Sequence, residues 1–248
     1  MTGRRKILQL PAAMLPAFAA CAVIIASLLA SGRAAPAQDA AHPQDDAQPV
    51  YVVSYIEVAP GFVTEARQLI LTYSSDARQA PGAVQVDALA RSGYSHHFAL
   101  VEQWQSQKSR DAYAATDAAA KFRGALDPLR SAGYDERIYA PLAVGRSLPA
   151  TSDPVVLLTH VDLIPTAKDA GIARVKGFAE QNRGKMGNLR FDVLVQASRP
   201  NHLTVVEVWD SAADQEAEIS TAAARSFRED LLPMSGSLYD ERAYRLLR

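Results

Sequence analysis

A carboxylate two residues ahead of a tryptophan occurs twice in this chain, at Glu102-Gln103-Trp104 and at Glu207-Val208-Trp209. In an extended strand, positions two apart share a face, so each glutamate stands beside its indole. Phe98 and Leu100 share that face in the first copy, and Leu203 and Val205 in the second. A glutamate in an apolar row reaches water, finds a partner, or has its pKa lifted toward the range where it exchanges protons near neutrality. Glu102 and Glu207 are therefore candidate bases. The plainer reading is a structural carboxylate, bonded to backbone or paired with an arginine such as Arg123 or Arg228. Trp104 and Trp209 are candidate walls for a flat aromatic ligand, against the plainer reading of core plugs at strand ends.

The elements that must hold these residues repeat at a constant offset of 105 residues. That offset pairs Pro60 with Pro165, Arg78 with Arg183, Gly82 with Gly187, Asp87 with Asp192 and His97 with His202. It also pairs Phe122-Arg123 with Phe227-Arg228, Pro128 with Pro233, and Tyr134-Asp135-Glu136-Arg137 with Tyr239-Asp240-Glu241-Arg242. So long a period marks two domain-sized units, not a solenoid. In each unit the alternation predicts a strand, Tyr51–Val58 or Val155–Leu163, then a helix entered through Pro60-Gly61 or Pro165-Thr166. Phe62, Ala66, Leu69, Ile70, Tyr73 and Ala77 form the apolar stripe of the first such helix. Strands are predicted at Val84–Ala90 and Leu189–Ala197. Hairpin turns at Arg91–Ser95 and Ser198–Asn201 lead into the Glu-x-Trp strands. Ser106 and Ser211 are placed to cap a second helical region, broken near its alanines, and a last strand runs over Tyr134–Tyr139 or Tyr239–Tyr244. The order is βαββαβ, an α+β ferredoxin-like unit. The strands are apolar on both faces, so the two units are expected to pack sheet to sheet as an intrachain α/β barrel. Leu142–Asp153 links them. The units are residues 50–147 and 154–248.

Where the copies disagree, further chemistry is possible. Tyr55 in the first strand of one unit is the repeat counterpart of His160 in the other, which predicts two inequivalent pockets; a satisfied core histidine is the plainer reading. Tyr113, a candidate phenol donor, is replaced by Glu218. Asp87 and Asp192 are expected to pair across the sheet. The Asp-Glu-Arg runs read as solvated or ion-paired edge residues. His97 and His202 are read as exposed, turn-proximal histidines. His96 and His97 are not expected to hold a metal, since no third ligand appears at ligand spacing.

Bulk properties exclude several classes. The 248 residues carry a net charge of −1, with 48% hydrophobic and 21% charged residues, an ordinary globular balance. Residues 1–37 combine Arg4-Arg5-Lys6, an apolar run and Ala35-Pro36-Ala37, the pattern of a cleaved export signal, with an uncleaved anchor as the alternative. Export to the periplasm or medium is expected. Loss of that leader's four cations takes the net charge from −1 to −5, which argues against a nucleic-acid partner. It also removes Cys21, the sole cysteine, and with it any thiol chemistry. Residues 38–49 read as a flexible tether.

The Pro60-Gly61 turn, Glu102/Trp104 and Glu207/Trp209, Phe122/Phe227 and Leu231-Leu232-Pro233-Met234 together carry a resemblance. The chain resembles a tandem member of the antibiotic biosynthesis monooxygenase (ABM) group of dimeric α/β barrels. That resemblance implies oxygenation of a small aromatic or quinol-type substrate by molecular oxygen, with no cofactor and no metal. Glu102, Glu207, His160 or Tyr113 would supply proton transfer. Trp104, Trp209, Tyr55, Ser54, Thr159, Phe122 and Phe227 would line the substrate. A haem-degrading branch of the group uses an asparagine, a tryptophan and a histidine; here Ser54/Thr159, Tyr113/Glu218 and Leu126/Leu231 stand at those places, so haem degradation is not expected. The alternative is a non-catalytic module of the cell envelope that binds a hydrophobic small molecule or a protein partner.

Overall fold

The computed structural model describes residues 48–150 and 153–248. The export leader and nearly all of the tether predicted above lie outside the described residues. Among the described residues, no helix is long and apolar enough to cross a membrane.

Repeat 1 runs β1 (Val50–Glu57), α1 (Val63–Arg78), β2 (Ala83–Arg91), β3 (His97–Trp104), α2 (Gln107–Ala114), α3 (Asp117–Leu126) and β4 (Asp135–Ala143). Repeat 2 follows with β5 (Val155–Asp162), α4 (Lys168–Asn182), β6 (Asn188–Gln196), β7 (Arg199–Trp209), α5 (Ala212–Ile219), α6 (Ala222–Leu231) and β8 (Asp240–Leu246). The predicted tandem βαββαβ order is the observed one. Each second helical region is split because a threonine caps its latter half. Thr116 accepts from the Ala119 N–H and Thr221 from the Ala224 N–H. Ser106 and Ser211 cap α2 and α5 in the same way.

The eight strands close into one barrel in the order β1-β3-β2-β8-β5-β7-β6-β4. Closure depends on the last strand of each repeat crossing into the other. β4 pairs with β1 and, through Tyr139–Ala143, with β6; β8 pairs with β5 and, through Tyr244–Leu246, with β2. These strands run past the predicted ends at Tyr139 and Tyr244, because the extra residues supply the cross-repeat hydrogen bonds. The Asp-Glu-Arg runs are therefore not at a sheet edge. Strand β7 also begins earlier than predicted, at Arg199, which shortens its hairpin turn.

Strand parity sorts the core into three. Val52, Ile56, Val86, Leu100 and Trp104 pack against α1 and α3 of repeat 1. Leu157, Val161, Phe191, Val205 and Trp209 do the same in repeat 2. The opposite strand faces bring Tyr51, Val53, Leu89, Val101, Leu158, Val206 and both closing tyrosines into the barrel interior. The two apolar faces read from the sequence are thus both buried, one under helices and one inside the barrel.

Gly82 and Gly187 end the turns that follow α1 and α4, at φ of 83° and 79°. A side chain there would meet Ser109 Oγ or Asp214 Cβ at 2.4 Å, on the first turn of the next helix. Each glycine is thus fixed by its left-handed backbone and by close approach. Replacing either by alanine is expected to destabilise the chain by about 1–3 kcal/mol, measured as a lowered urea midpoint with an unchanged slope.

Candidate functional site

Glu102 sits on β3 facing the helices of repeat 1 and is 3% exposed. Its oxygens are divided between two donors. Trp104 Nε1 donates to Oε2 at 2.8 Å and the Tyr73 hydroxyl donates to Oε1 at 3.1 Å. Burial pushes the Glu102 carboxyl above its ordinary value, while the indole and phenol donors pull it back. No arginine pairs with it among the described residues: Arg123 donates to the Ala114 carbonyl instead. The predicted Arg123 partnership is thus replaced by a neutral one, since a phenol and an indole satisfy the carboxylate without burying a second charge.

Tyr73 carries this pair to the surface. Its ring stacks on Phe122 with centroids 4.3 Å apart and meets Tyr113 at 5.6 Å. Tyr113 also stacks on Trp104 at 5.3 Å, and burial pushes its phenol up to about 12. Tyr73 and Phe122 line a groove of about 540 Å3 between α1 and α3, with Leu69, Ala118 and Lys121 on its sides. Asp76 and Ala118 also line a second, more apolar hollow of about 430 Å3, which includes Tyr113. Neither Glu102 nor Trp104 lines either hollow. Trp104 and Trp209 are 0% and 1% exposed, so the plainer reading of them as core plugs holds. Ser54 and Thr159 are also fully buried on the helix side, where the Tyr134 and Tyr239 phenols lie beside their hydroxyls.

Repeat 2 has the same frame with different chemistry. Trp209 Nε1 donates to Glu207 Oε2 at 3.0 Å, but Phe178 stands where Tyr73 stands, so the phenol that donates to Glu102 has no counterpart on this helix; the phenol near Glu207 is that of Tyr239, pushed up by burial and then by this carboxyl. Phe178 stacks flat on Phe227 at 3.9 Å. Glu218, the counterpart of Tyr113, is bound by Lys185 Nζ at 2.7 Å. Burial pushes the Glu207 carboxyl up to about 8, opposed by the Trp209 bond and by Arg228 and reinforced by Glu241. Arg228 itself pairs with Glu241 at 3.6 Å, not with Glu207.

Tyr55 and His160 correct the expectation of two inequivalent pockets. Both project into the barrel interior, on the far side of the sheet from Glu102 and Glu207. There they meet each other edge to face, with centroids 5.1 Å apart. His160 Nδ1 lies 3.1 Å from Thr204 Oγ1, which donates to the Tyr139 hydroxyl, and Arg137 Nη1 lies 3.2 Å from Nε2. Burial, then Arg137 and Arg242, pushes the imidazole down to about 4. The imidazole is thus held in its neutral form, with Thr204 at Nδ1 and Arg137 at Nε2. Asp87 and Asp192 do not pair with each other. Both face Arg190, whose Nε meets Asp192 at 2.6 Å and whose Nη1 stands 3.8 Å from Asp87, since an arginine between them relieves like-charge repulsion. His96 and His97 do have a third possible ligand nearby. Register in the β1–β3 pair sets Glu57 opposite His97, a proximity that spacing along the chain cannot reveal.

The sequence places Tyr73 only in the apolar stripe of α1, whereas the structure makes it the hydroxyl donor to Glu102. The signal was present, since the offset of 105 sets Tyr73 against Phe178, a phenol lost in one copy.

Comparisons with known proteins agree with this architecture. The family described as antibiotic biosynthesis monooxygenase matches residues 49–125 and 154–230. Among solved structures, a candidate monooxygenase from Fusobacterium nucleatum subsp. nucleatum superposes with a TM-score of 0.74 at 13% identity, covering 82% of this chain and 94% of its own. A candidate monooxygenase from Lactobacillus acidophilus gives 0.67 at 13% identity, covering 81% and 95%. An anthrone oxidase-like protein gives 0.64 at 12% identity, covering 82% and 93%. Such identities establish the shared fold. A comparison with curated proteins finds no match.

The Glu207 environment has a consequence for stability. The folded chain holds this proton up to about pH 8, whereas an unfolded carboxyl loses it near 4.5. The folded state therefore binds more protons between those values, so stability falls as pH rises through that window. The urea midpoint is expected to drop between pH 5 and pH 8, and Glu207→Gln is expected to flatten that slope. Parallel slopes in the two proteins would show that Glu207 ionises in the folded chain like an exposed carboxyl.

Proposed function

Since the chain belongs to the antibiotic biosynthesis monooxygenase family, we propose that it oxygenates a small aromatic or quinol-type substrate without a cofactor, using repeat 1. One observation carries this reading: Tyr73, which lines an apolar groove, donates to the buried Glu102 carboxyl that Trp104 also holds. A flat substrate in that groove lies against the Tyr73 and Phe122 rings. Its hydroxyl donates to the Tyr73 oxygen while Tyr73 donates to Glu102. Proton loss through Tyr73 then leaves an electron-rich anion that reduces oxygen itself. The protein's part is to accept the proton, orient the ring and keep water out.

Repeat 2 supports the fold on this reading. Phe178 cannot pass a proton to Glu207, and Lys185 occupies Glu218. We also propose that the predicted leader directs export, with the reaction outside the cytoplasm.

Oxygen consumption with a panel of reduced naphthoquinols and an anthrone tests the assignment. Glu102→Gln and Tyr73→Phe are each expected to lower the protein-dependent rate by about 100-fold, whereas Glu207→Gln stays within about twofold. Uptake that is absent for the whole panel, or unchanged in both repeat 1 variants, refutes it. Quenching of tryptophan fluorescence by the same compounds without turnover would instead identify a binding module.

A further inference from the structure

We propose that Glu57, His96 and His97 form a binding site for a divalent transition-metal ion of the zinc type, at the barrel rim in repeat 1. These residues are on the opposite face of the sheet from Glu102, and the site is independent of the oxygenase reading.

Backbone pairing builds the cluster. Glu57 is the last residue of β1 and is opposite His97, the first residue of β3. The Val58 N–H donates to the His96 carbonyl at 3.0 Å, and the His97 N–H donates to the Tyr94 carbonyl at 3.0 Å, so both histidines sit on an anchored turn. Their Nε2 atoms converge to 3.1 Å, with ring planes at 69°. Two ligand atoms about 2.1 Å from a tetrahedral ion stand about 3.4 Å apart, so these nitrogens are already near one edge of such a polyhedron. Glu57 Oε2 is 3.9 Å from His97 Nε2 and needs only a small rotation to complete a face. The other carboxylate oxygen, Oε1, accepts from the Ser131 hydroxyl at 3.2 Å, an outer contact that turns Oε2 toward the histidines.

Two imidazoles and one carboxylate suit zinc and its neighbours, and three protein ligands leave a position open. Glu57 and His97 also line a cavity of about 350 Å3, together with Tyr55 and Phe98. Arg91 and Arg242 reach the same cavity, but both are engaged. Arg91 lies over the Tyr94 ring at 4.2 Å, and Arg242 Nε is bonded to Asp240 at 3.0 Å.

Repeat 2 provides an internal control. Asp162 and His202 match Glu57 and His97 and lie 3.4 Å apart, but Asn201 replaces His96. The Asn201 amide is spent on the Leu163 carbonyl at 2.9 Å. Repeat 2 therefore lacks the second imidazole, and one ion per chain is expected.

The test is titration of the chelator-treated full chain with Zn2+ against a chromophoric competitor, repeated with Co2+ and read by visible absorption. One equivalent should bind, with a cobalt band typical of low-coordinate nitrogen and oxygen ligation. His96→Asn, which gives repeat 1 the residue of repeat 2, should weaken binding at least about 100-fold while leaving the circular dichroism spectrum unchanged. Glu57→Gln should act similarly, Ser131→Ala should cost about 10-fold, and His202→Ala should change affinity less than twofold. The assignment is overturned if no saturable site appears, if the bound equivalent survives His96→Asn, or if His202→Ala removes it.

Discussion

Strands β1, β3, β5 and β7 of this barrel carry two apolar faces, and neither can be left to water. A single βαββαβ unit covers one face with its helices and leaves the other bare. The second unit covers it, and the closing strands β4 and β8 make the cover continuous by pairing across the repeats. The polar backbone of the sheet then has no free edge, which satisfies its hydrogen bonds and removes a template for aggregation. Tyr139 and Tyr244 mark where this happens. Each sits at a crossover, fully buried, where its strand passes from one repeat to the other.

That constraint decides where chemistry can occur. The barrel interior is filled by Val, Leu and Tyr side chains and by the Arg190 and His160 clusters, and cavities of about 350 and 160 Å3 adjoin it. The space between sheet and helices is the other opportunity. There the Glu-x-Trp pairs are sealed as core, and contact with solvent passes through α1 and α2. In repeat 1 that layer presents Tyr73 and Tyr113; in repeat 2 it presents Phe178 and a lysine-bound Glu218. Duplication supplied a symmetric frame, and the polar substitutions on it made the halves chemically unequal. A phenol that solvates a buried carboxylate without a charge opposes the upward push of burial at Glu102, whereas the carboxyl lacking that phenol is pushed up to about 8.

The same inequality appears at the rim, where His96 opposes Asn201, and inside the barrel, where Tyr55 meets His160. In this last case the pseudo-symmetry brings the two unlike residues together. Positions equivalent in sequence become neighbours when they lie near the axis that relates the repeats. Reading them as members of two separate pockets treated each repeat as a closed object.

The amino-acid sequence by itself determined the tandem βαββαβ order, the faces of the strands, the caps at Ser106 and Ser211, and the family resemblance. These follow from local periodicity and from the constant offset, both of which are recorded along the chain. It also singled out Glu102 and Glu207 as acids on an apolar strand face, with water, a partner or proton exchange left open for each. Only the tertiary structure decided their partners. Tyr73 lies 29 residues from Glu102, Glu57 is 40 from His97, and Arg190 is 103 from Asp87. Such meetings depend on strand register, barrel closure and the approach of a helix to a sheet. Those are set by packing over the whole molecule, and so the chemistry of each polar group was settled there and not in its own segment.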